Sequence, residues 1–175
     1  MNYKSKETIG IIFAIIAYFS FSILDAIQKS AVLYYSIFQL LFIKYIFVLF
    51  LSVLEARRTK NINFYKSNNP KLQIIRSLLS ILESGCFVLS FKYLPLANAH
   101  SIGALAPIII VVLSVFILNE KVSAKTWIAI FIGFFGVLII IRPGSDVFSV
   151  KSFIPLIAAF FLGLYQIATK KMTEY

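Results

Sequence analysis

The chain is poor in the residues that build reactive sites. One cysteine and one histidine stand among 175 residues. Cys86 lies inside an apolar run and has no second thiol with which to form an intrachain disulfide. With a single His and a single Cys, neither a metal-ligand set nor a nucleophile–base pair can be assembled from this chain. An intramembrane enzyme is therefore disfavoured, and no cofactor is expected. Charge is scarce as well: only 14% of residues are charged, and 7 of them are acidic. That leaves too little polar side chain to coat a soluble globule. The 17 basic residues do not gather into a patch suited to nucleic acid. They sit between apolar runs, as basic loop residues of membrane proteins do. What fills the chain instead is apolar bulk, 60% of residues, where a soluble domain has about 45–50%. The composition describes an integral membrane protein embedded in a lipid bilayer, without a soluble domain.

Six stretches are long and apolar enough to be membrane helices, given that a bilayer needs about 17–25 residues per span. They are Thr8–Gln28, Ser36–Glu55, Leu72–Phe91, Ala97–Leu118, Thr126–Ile141 and Phe153–Thr169. The fifth is the shortest and borrows interfacial Trp127 and Arg142. A cleaved signal peptide is the rival for the first, because Lys4 and Lys6 precede it. Its length and the lack of a clean small-x-small site favour an uncleaved helix.

Loop charges set the direction. Lys4, Lys6, Arg57, Arg58, Lys60, Lys66, Lys71, Lys121, Lys125, Lys170 and Lys171 fall on one side. Only Lys29, Lys92, Arg142 and Lys151 fall on the other. Both ends of the chain are expected to be cytoplasmic. The polar connection Ala56–Lys71, with Asn68-Asn69-Pro70, is then a cytoplasmic loop. Leu94-Pro95 and Arg142-Pro143-Gly144 are outer turns.

At an offset of 141 residues the sixth span matches the first: Ala17 with Ala158, Phe19 with Phe160, Ser22 with Gly163, and Lys29 with Lys170, while Asp25 meets Gln166. A repeat of five helices is odd, so its successor must cross the membrane in the opposite sense. That is the inverted-repeat plan of secondary transporters.

The stretch Phe91-Lys92-Tyr93-Leu94-Pro95-Leu96-Ala97-Asn98-Ala99-His100 is followed by Gly103-Ala104-Leu105-Ala106-Pro107, then by Leu118-Asn119-Glu120-Lys121 and, after Trp127, Gly133-Phe134-Phe135-Gly136-Val137-Leu138-Ile139. This ordered set resembles the EamA repeat of the drug/metabolite transporter superfamily. Asn119 stands where the family usually has Gly. Asp25, Lys29, Lys44 and Arg76 resemble the bacterial subgroup containing S-adenosylmethionine uptake carriers, which commonly has Arg at the position of Lys44. The resemblance implies an all-α, ten-helix carrier built from two EamA repeats. Residues 8–141 would be one repeat, and 149–175 the first helix of a truncated, inverted second. It implies a secondary transporter that moves a small polar metabolite across the bacterial inner membrane by alternating access. Smaller relatives in the superfamily work as pairs, so the alternative is a truncated or split-gene product acting only with a second half or as a homodimer.

Ionisable residues at membrane depth cost about 2.5–3.5 kcal/mol each on insertion scales, so they face a bundle interior or a wet cavity. Tyr18, Ser22, Asp25 and Lys29 share one face of the first span at helical spacing, and Arg76, Ser80, Glu83 and Ser90 share one face of the third. His100, Gly103, Ala104, Pro107 and Ser114 share one face of the fourth. Lys44 and Glu83 each lie eight residues inward from the outer end of their span, roughly 12 Å deep at 1.5 Å per residue. They are expected to pair near the midplane, as a site for an amine-bearing or amino-acid-like solute or as a structural ion pair. Asp25, His100 and Lys29 form a shallower layer, and Arg76 lies near the cytoplasmic boundary. Glu83 or Asp25 would couple transport to protons if burial raised its pKa. Each of the others has a plainer alternative: Lys29 and Arg76 as gate residues or as snorkelling cations, His100 as a proton relay or bound to a carbonyl, Pro107 as a hinge or a passive kink. Gly133 and Gly136 are read as permitting close helix packing.

Overall fold

The computed structural model describes residues 3–59, 67, 69–141 and 150–173. Lys60, Lys66, Asn68 and Arg142-Pro143-Gly144, all used in the loop reading, lie outside the described residues. The rest is helical: α1 Tyr3–Ala31, α2 Ile37–Arg58, α3 Pro70–Tyr93, α4 Leu96–Gly103, α5 Ala106–Leu118, α6 Ala124–Ile141 and α7 Phe153–Thr173, the last preceded by a single 3-10 turn, Val150–Ser152. Taking α4 and α5 as one span, five helical segments are long and apolar enough to cross a membrane, and Ala124–Ile139 is a shorter apolar sixth. The expected six spans are therefore present. The chain is a multi-pass membrane protein.

Local chemistry sets the helix ends. Ser36 and Gln39 form a reciprocal cap on α2, the Ser36 hydroxyl accepting the Gln39 N–H and the Gln39 side chain accepting the Ser36 N–H. The Asn69 side chain accepts the Leu72 N–H at 3.1 Å, and Pro70 opens α3, where its missing N–H costs nothing. Asn119 closes α5 at φ 54°, ψ 33°. This left-handed conformation is natural for Gly and tolerated by Asn. Asparagine is therefore an adequate residue at this turn, where the resemblance implies Gly.

The fourth span departs from expectation. In place of one helix with Pro107 at its middle, the chain breaks at Ala104-Leu105, and Pro107 sits in the first turn of α5. A proline inside a continuous helix crowds the carbonyl four residues back and gives it no donor. Stopping α4 one turn earlier avoids both problems. The Leu105 N–H closes a tighter turn onto Ile102 O at 3.0 Å.

The sixth span is the best-packed helix. α7 makes the largest interface in the molecule with α3, followed by contacts with α5 and α4. Its Pro155, Ala158, Ala159, Gly163, Ile167 and Ala168 are buried. Small residues let helices approach closely where lipid supplies no hydrophobic drive. A Cβ on Gly163 would lie 2.8 Å from Leu113 Cδ1 and 3.1 Å from Ile109 Cγ2, so glycine is what lets α5 come this near. The close-packing role expected of Gly133 and Gly136 belongs to Gly163 instead. Among the described residues, Gly136 has no neighbour within 4 Å of an added Cβ, and Gly133 has only Ile108 Cδ1 at 3.9 Å.

Two ties hold α7 at its ends. Lys151 lies over the Tyr93 ring, 5.2 Å from its centroid, beside the end of α3. At the opposite end the Lys170 ammonium donates to the Glu120 carboxylate and holds that carboxyl below its ordinary pKa.

Candidate functional site

The site begins at the turn between α3 and α4. Leu94 precedes a proline and is held extended at φ −120°, ψ 149°. The end of α3 thus exposes carbonyls that no helical N–H can reach. Lys29 takes two of them, donating to Phe91 O and to Leu94 O, the latter at 2.9 Å. Its ammonium acts as a cap at the negative end of the α3 dipole. Lys29 therefore ties α1 to α3, a contact that neither the gate nor the snorkelling reading includes.

One turn earlier on α1, Asp25 meets His100 of α4, with Oδ2 and Nε2 3.2 Å apart. The partner of His100 is this carboxylate, in place of the backbone carbonyl considered from sequence. Phe87 and Phe91 pack against the imidazole, with ring centroids at 5.3 Å and 5.8 Å.

Lys44 and Glu83 approach each other through a third residue. Lys44 Nζ donates to Ser84 Oγ at 2.9 Å, and Ser84 Oγ donates to Glu83 Oε2 at 3.0 Å. The direct ion pair expected from depth is replaced by a serine-bridged chain. Ser84 is next to Glu83 in sequence and so lies off the polar stripe of α3, which is why the helical spacing missed it. Tyr45 of α2 meets Ser80 of α3 at 3.5 Å.

Glu83 and His100 open onto a common cavity of about 290 Å³. Phe87, Gly103, Ala104, Ala158, Ala159 and Leu162 complete its wall. Small side chains on α4 and α7 create the space: a Cβ on Gly103 would stand 3.0 Å from the Phe87 ring. The contribution of α7 was invisible from sequence, because apolar Ala158 and Ala159 carry no polar signal.

Arg76 lies lower on α3. Its guanidinium sits 5.6 Å from the Tyr165 ring centroid and donates from Nη1 to Tyr165 Oη at 3.4 Å. It reaches across to α7, where snorkelling to the interface had been the alternative. Its Nε and the neighbouring Gln73 Oε1 are shielded and have no hydrogen-bond partner.

Tyr18, Ser22 and Pro107, expected at the pathway, are not brought to it, and Ser80, which meets Tyr45, is likewise absent from the cavity wall. Tyr18 is 75% exposed on the outer side of α1, and the hydroxyl of exposed Ser22 bonds only to Tyr18 O, at 3.0 Å. The polar stripe of α1 is engaged from Asp25 onward and open before it. Pro107 shapes the α4–α5 break and is absent from the cavity wall.

The site thus places two carboxylates, an ammonium and an imidazole from four helices beside a small cavity. Such a set can hold a charged solute and pass protons without any metal. Residues 8–142 match the EamA-like transporter family. Among curated relatives, the riboflavin transporter of Brucella anthropi is 28% identical over 104 residues, covering 59% of this chain and 37% of that one. The S-adenosylmethionine uptake transporter of Rickettsia prowazekii is 25% identical over 109 residues, 62% of this chain and 37% of that one. The pseudopaline exporter of Pseudomonas aeruginosa is 22% identical over 165 residues, 94% of this chain and 57% of that one. The chain therefore spans between about a third and somewhat over half the length of these relatives. No solved structure matches it. With the match running from α1 through α6, and with transporters among its relatives, the chain belongs to the EamA-like transporter family.

Proposed function

We propose that the chain forms the substrate pathway of a secondary transporter that carries a small, polar, amine-bearing or amino-acid-like solute across the bacterial inner membrane by alternating access. The observation that carries this reading is the cavity between α3, α4 and α7, with Glu83 and His100 in its wall. Glu83 offers a carboxylate to a cationic group. The Lys44–Ser84 link holds that carboxylate in place. The Asp25–His100 contact closes the outer side, with Lys29 fixing α1 above it. Protons are the coupling ion that suits this set, because carboxylates and imidazole exchange them. Relatives named for uptake and for export support transport as the activity and leave direction open. Both chain ends are assigned to the cytoplasm on the loop charges.

The test is counterflow in proteoliposomes with a panel of labelled amines and amino acids, with and without an imposed proton gradient. Exchange of at least one cationic or zwitterionic solute is expected, abolished by Glu83→Gln. Exchange that survives Glu83→Gln unchanged overturns the assignment.

A second reading is favoured by the bareness of α1: transport requires a second half or another copy of the chain. Tyr18 and Ser22 then face that partner, as the corresponding face of α7 meets α3 and α5. Co-reconstitution with a separately expressed second repeat would raise exchange from background under this reading, and leave it unchanged if the chain suffices alone.

A further inference from the structure

Among the described residues, Arg76 is a cation without a counter-ion. It lies six residues into α3, inside a segment long and apolar enough to span a membrane. Among the described residues, no carboxylate lies within ion-pairing distance of it; the two ion pairs are Asp25–His100 and Glu120–Lys170. Its Nη1 makes one long hydrogen bond, 3.4 Å, to Tyr165, whose ring supports the guanidinium plane at 5.6 Å. Its Nε is shielded from solvent and unbonded, and so is Gln73 Oε1 one turn away. A guanidinium presents five donors in a planar fork that matches a carboxylate or phosphate. Leaving a shielded donor unmade is costly, so a half-buried guanidinium whose Nε has no partner is poised for an acceptor.

We infer that Arg76, with the Tyr165 hydroxyl, forms a binding subsite for an oxyanion, either the carboxylate of a transported solute or the phosphate of a lipid headgroup. This rests on the transport reading given above and extends it. Arg76 and Glu83 are seven residues apart on one face of α3, two helical turns or about 10 Å along the axis. A solute carrying an amine and a carboxylate would meet Glu83 with one end and Arg76 with the other. In the described conformation Tyr165 lies against the guanidinium, so the subsite is covered by α7 and is presented when α3 and α7 part.

Three probes separate the two ends: hexylamine, hexanoate and 6-aminohexanoate, each titrated against thermal unfolding of the full chain in phosphatidylcholine nanodiscs. Hexanoate and 6-aminohexanoate are expected to raise the unfolding temperature of the wild-type chain. Arg76→Gln should weaken both by about tenfold or more, as the bidentate contact is lost. Hexylamine protection should survive Arg76→Gln and disappear in Glu83→Gln. Where Arg76→Gln does not fold, Arg76→Lys and Tyr165→Phe serve, since Lys keeps the charge without the fork and Phe keeps the ring without the hydroxyl. Each should weaken hexanoate and leave hexylamine unchanged. If replacing part of the phosphatidylcholine with phosphatidylglycerol stabilises the wild-type chain but not Arg76→Gln, and hexanoate has no effect, the oxyanion is a lipid phosphate. Protection by hexanoate that is equal in wild type and all three variants, or absent with no lipid effect, overturns the subsite. Loss of the Glu83-dependent hexylamine effect alone overturns the amine reading and leaves the subsite standing.

Discussion

The two helices that pair at the 141-residue offset, α1 and α7, carry similar letters in opposite surroundings. Ala158 is buried, and its counterpart Ala17 is exposed. Gly163 lies in close contact with α5, whereas Ser22 bonds to its own helix on an exposed face. Gln166 is exposed, while its counterpart Asp25 is half-buried against His100. A shared pattern of small and polar residues therefore encodes the capacity to pack. Whether that capacity is used depends on which helices stand alongside.

That contrast can be broken first in the core that α3 and α4 share beside α1. Phe91 is fully buried, packed with Val32, Val88 and Ala99. Phe91→Ala is expected to cost about 3 kcal/mol, the low end of the range for a buried aromatic, because lipid and not water surrounds the unfolded helices. Phe47→Ala, on a 63% exposed position of α2, should change stability by less than about 0.5 kcal/mol. Denaturant titration in bicelles measures both; equal costs would mean that the packed and open regions do not differ energetically.

The next test acts on α7 itself. Gly163→Val drives branched methyls toward Leu113 and Ile109 and should cost about 2 kcal/mol, in the range of overpacked cores. Gly163→Ala should cost less, because the nearest atom is the mobile end of Leu113. Gly136→Val meets nothing within 4 Å and should be neutral or slightly stabilising, since Gly is the weaker helix former.

These positions also mark how far the sequence could be read. Spans were legible because a bilayer demands long apolar runs, and the ends of α2 and α3 lie close to the expected limits because Ser36 and Asn69 are capping residues. Helical rise gave Asp25 and His100 a similar depth, but not their contact, because spacing along each helix does not say which side chains meet. What was not legible depends on neighbours in space. Ser84 stands between Lys44 and Glu83 only because α2 crosses α3 at that height. Likewise, Gly163 stands at a close helix contact and Gly136, among the described residues, does not, a difference that spacing along one helix cannot express. The α4–α5 break was missed by one turn, since the strain that Pro107 imposes is relieved upstream of the proline itself.

A smaller effect is expected at Lys29. Lys29→Met removes the ammonium from Phe91 O and Leu94 O and should cost about 1.5 kcal/mol, a charged hydrogen bond at a helix end. Lys92→Met, on an exposed neighbour at the same end, should be nearly neutral in the same bicelle titration. If the two variants behave alike, α1 is not held by its lysine.

The smallest effect is the most selective, because it separates the two lysines that pair at the 141-residue offset. Lys29 donates to backbone carbonyls, which do not titrate, whereas Lys170 donates to the Glu120 carboxylate. That hydrogen bond holds the Glu120 carboxyl below its ordinary value of 4.5. The folded chain then binds fewer protons at this group than the unfolded chain does, so stability rises with pH across the window between the two values. The contribution is complete above pH 4.5 and is lost as pH falls through the lowered folded-state value. Both partners are substantially exposed, so solvent screening keeps the effect slight. Acid should therefore loosen the end of α7 and leave the Lys29 tie of α1 unchanged. Unfolding midpoints followed from neutral pH down through this window should fall less steeply in Glu120→Gln than in wild type, while Lys29→Met should shift the curve without changing its slope. A wild-type slope that persists in Glu120→Gln would mean that some other carboxylate governs the acid response, and that the end of α7 is no more acid-sensitive than that of α1.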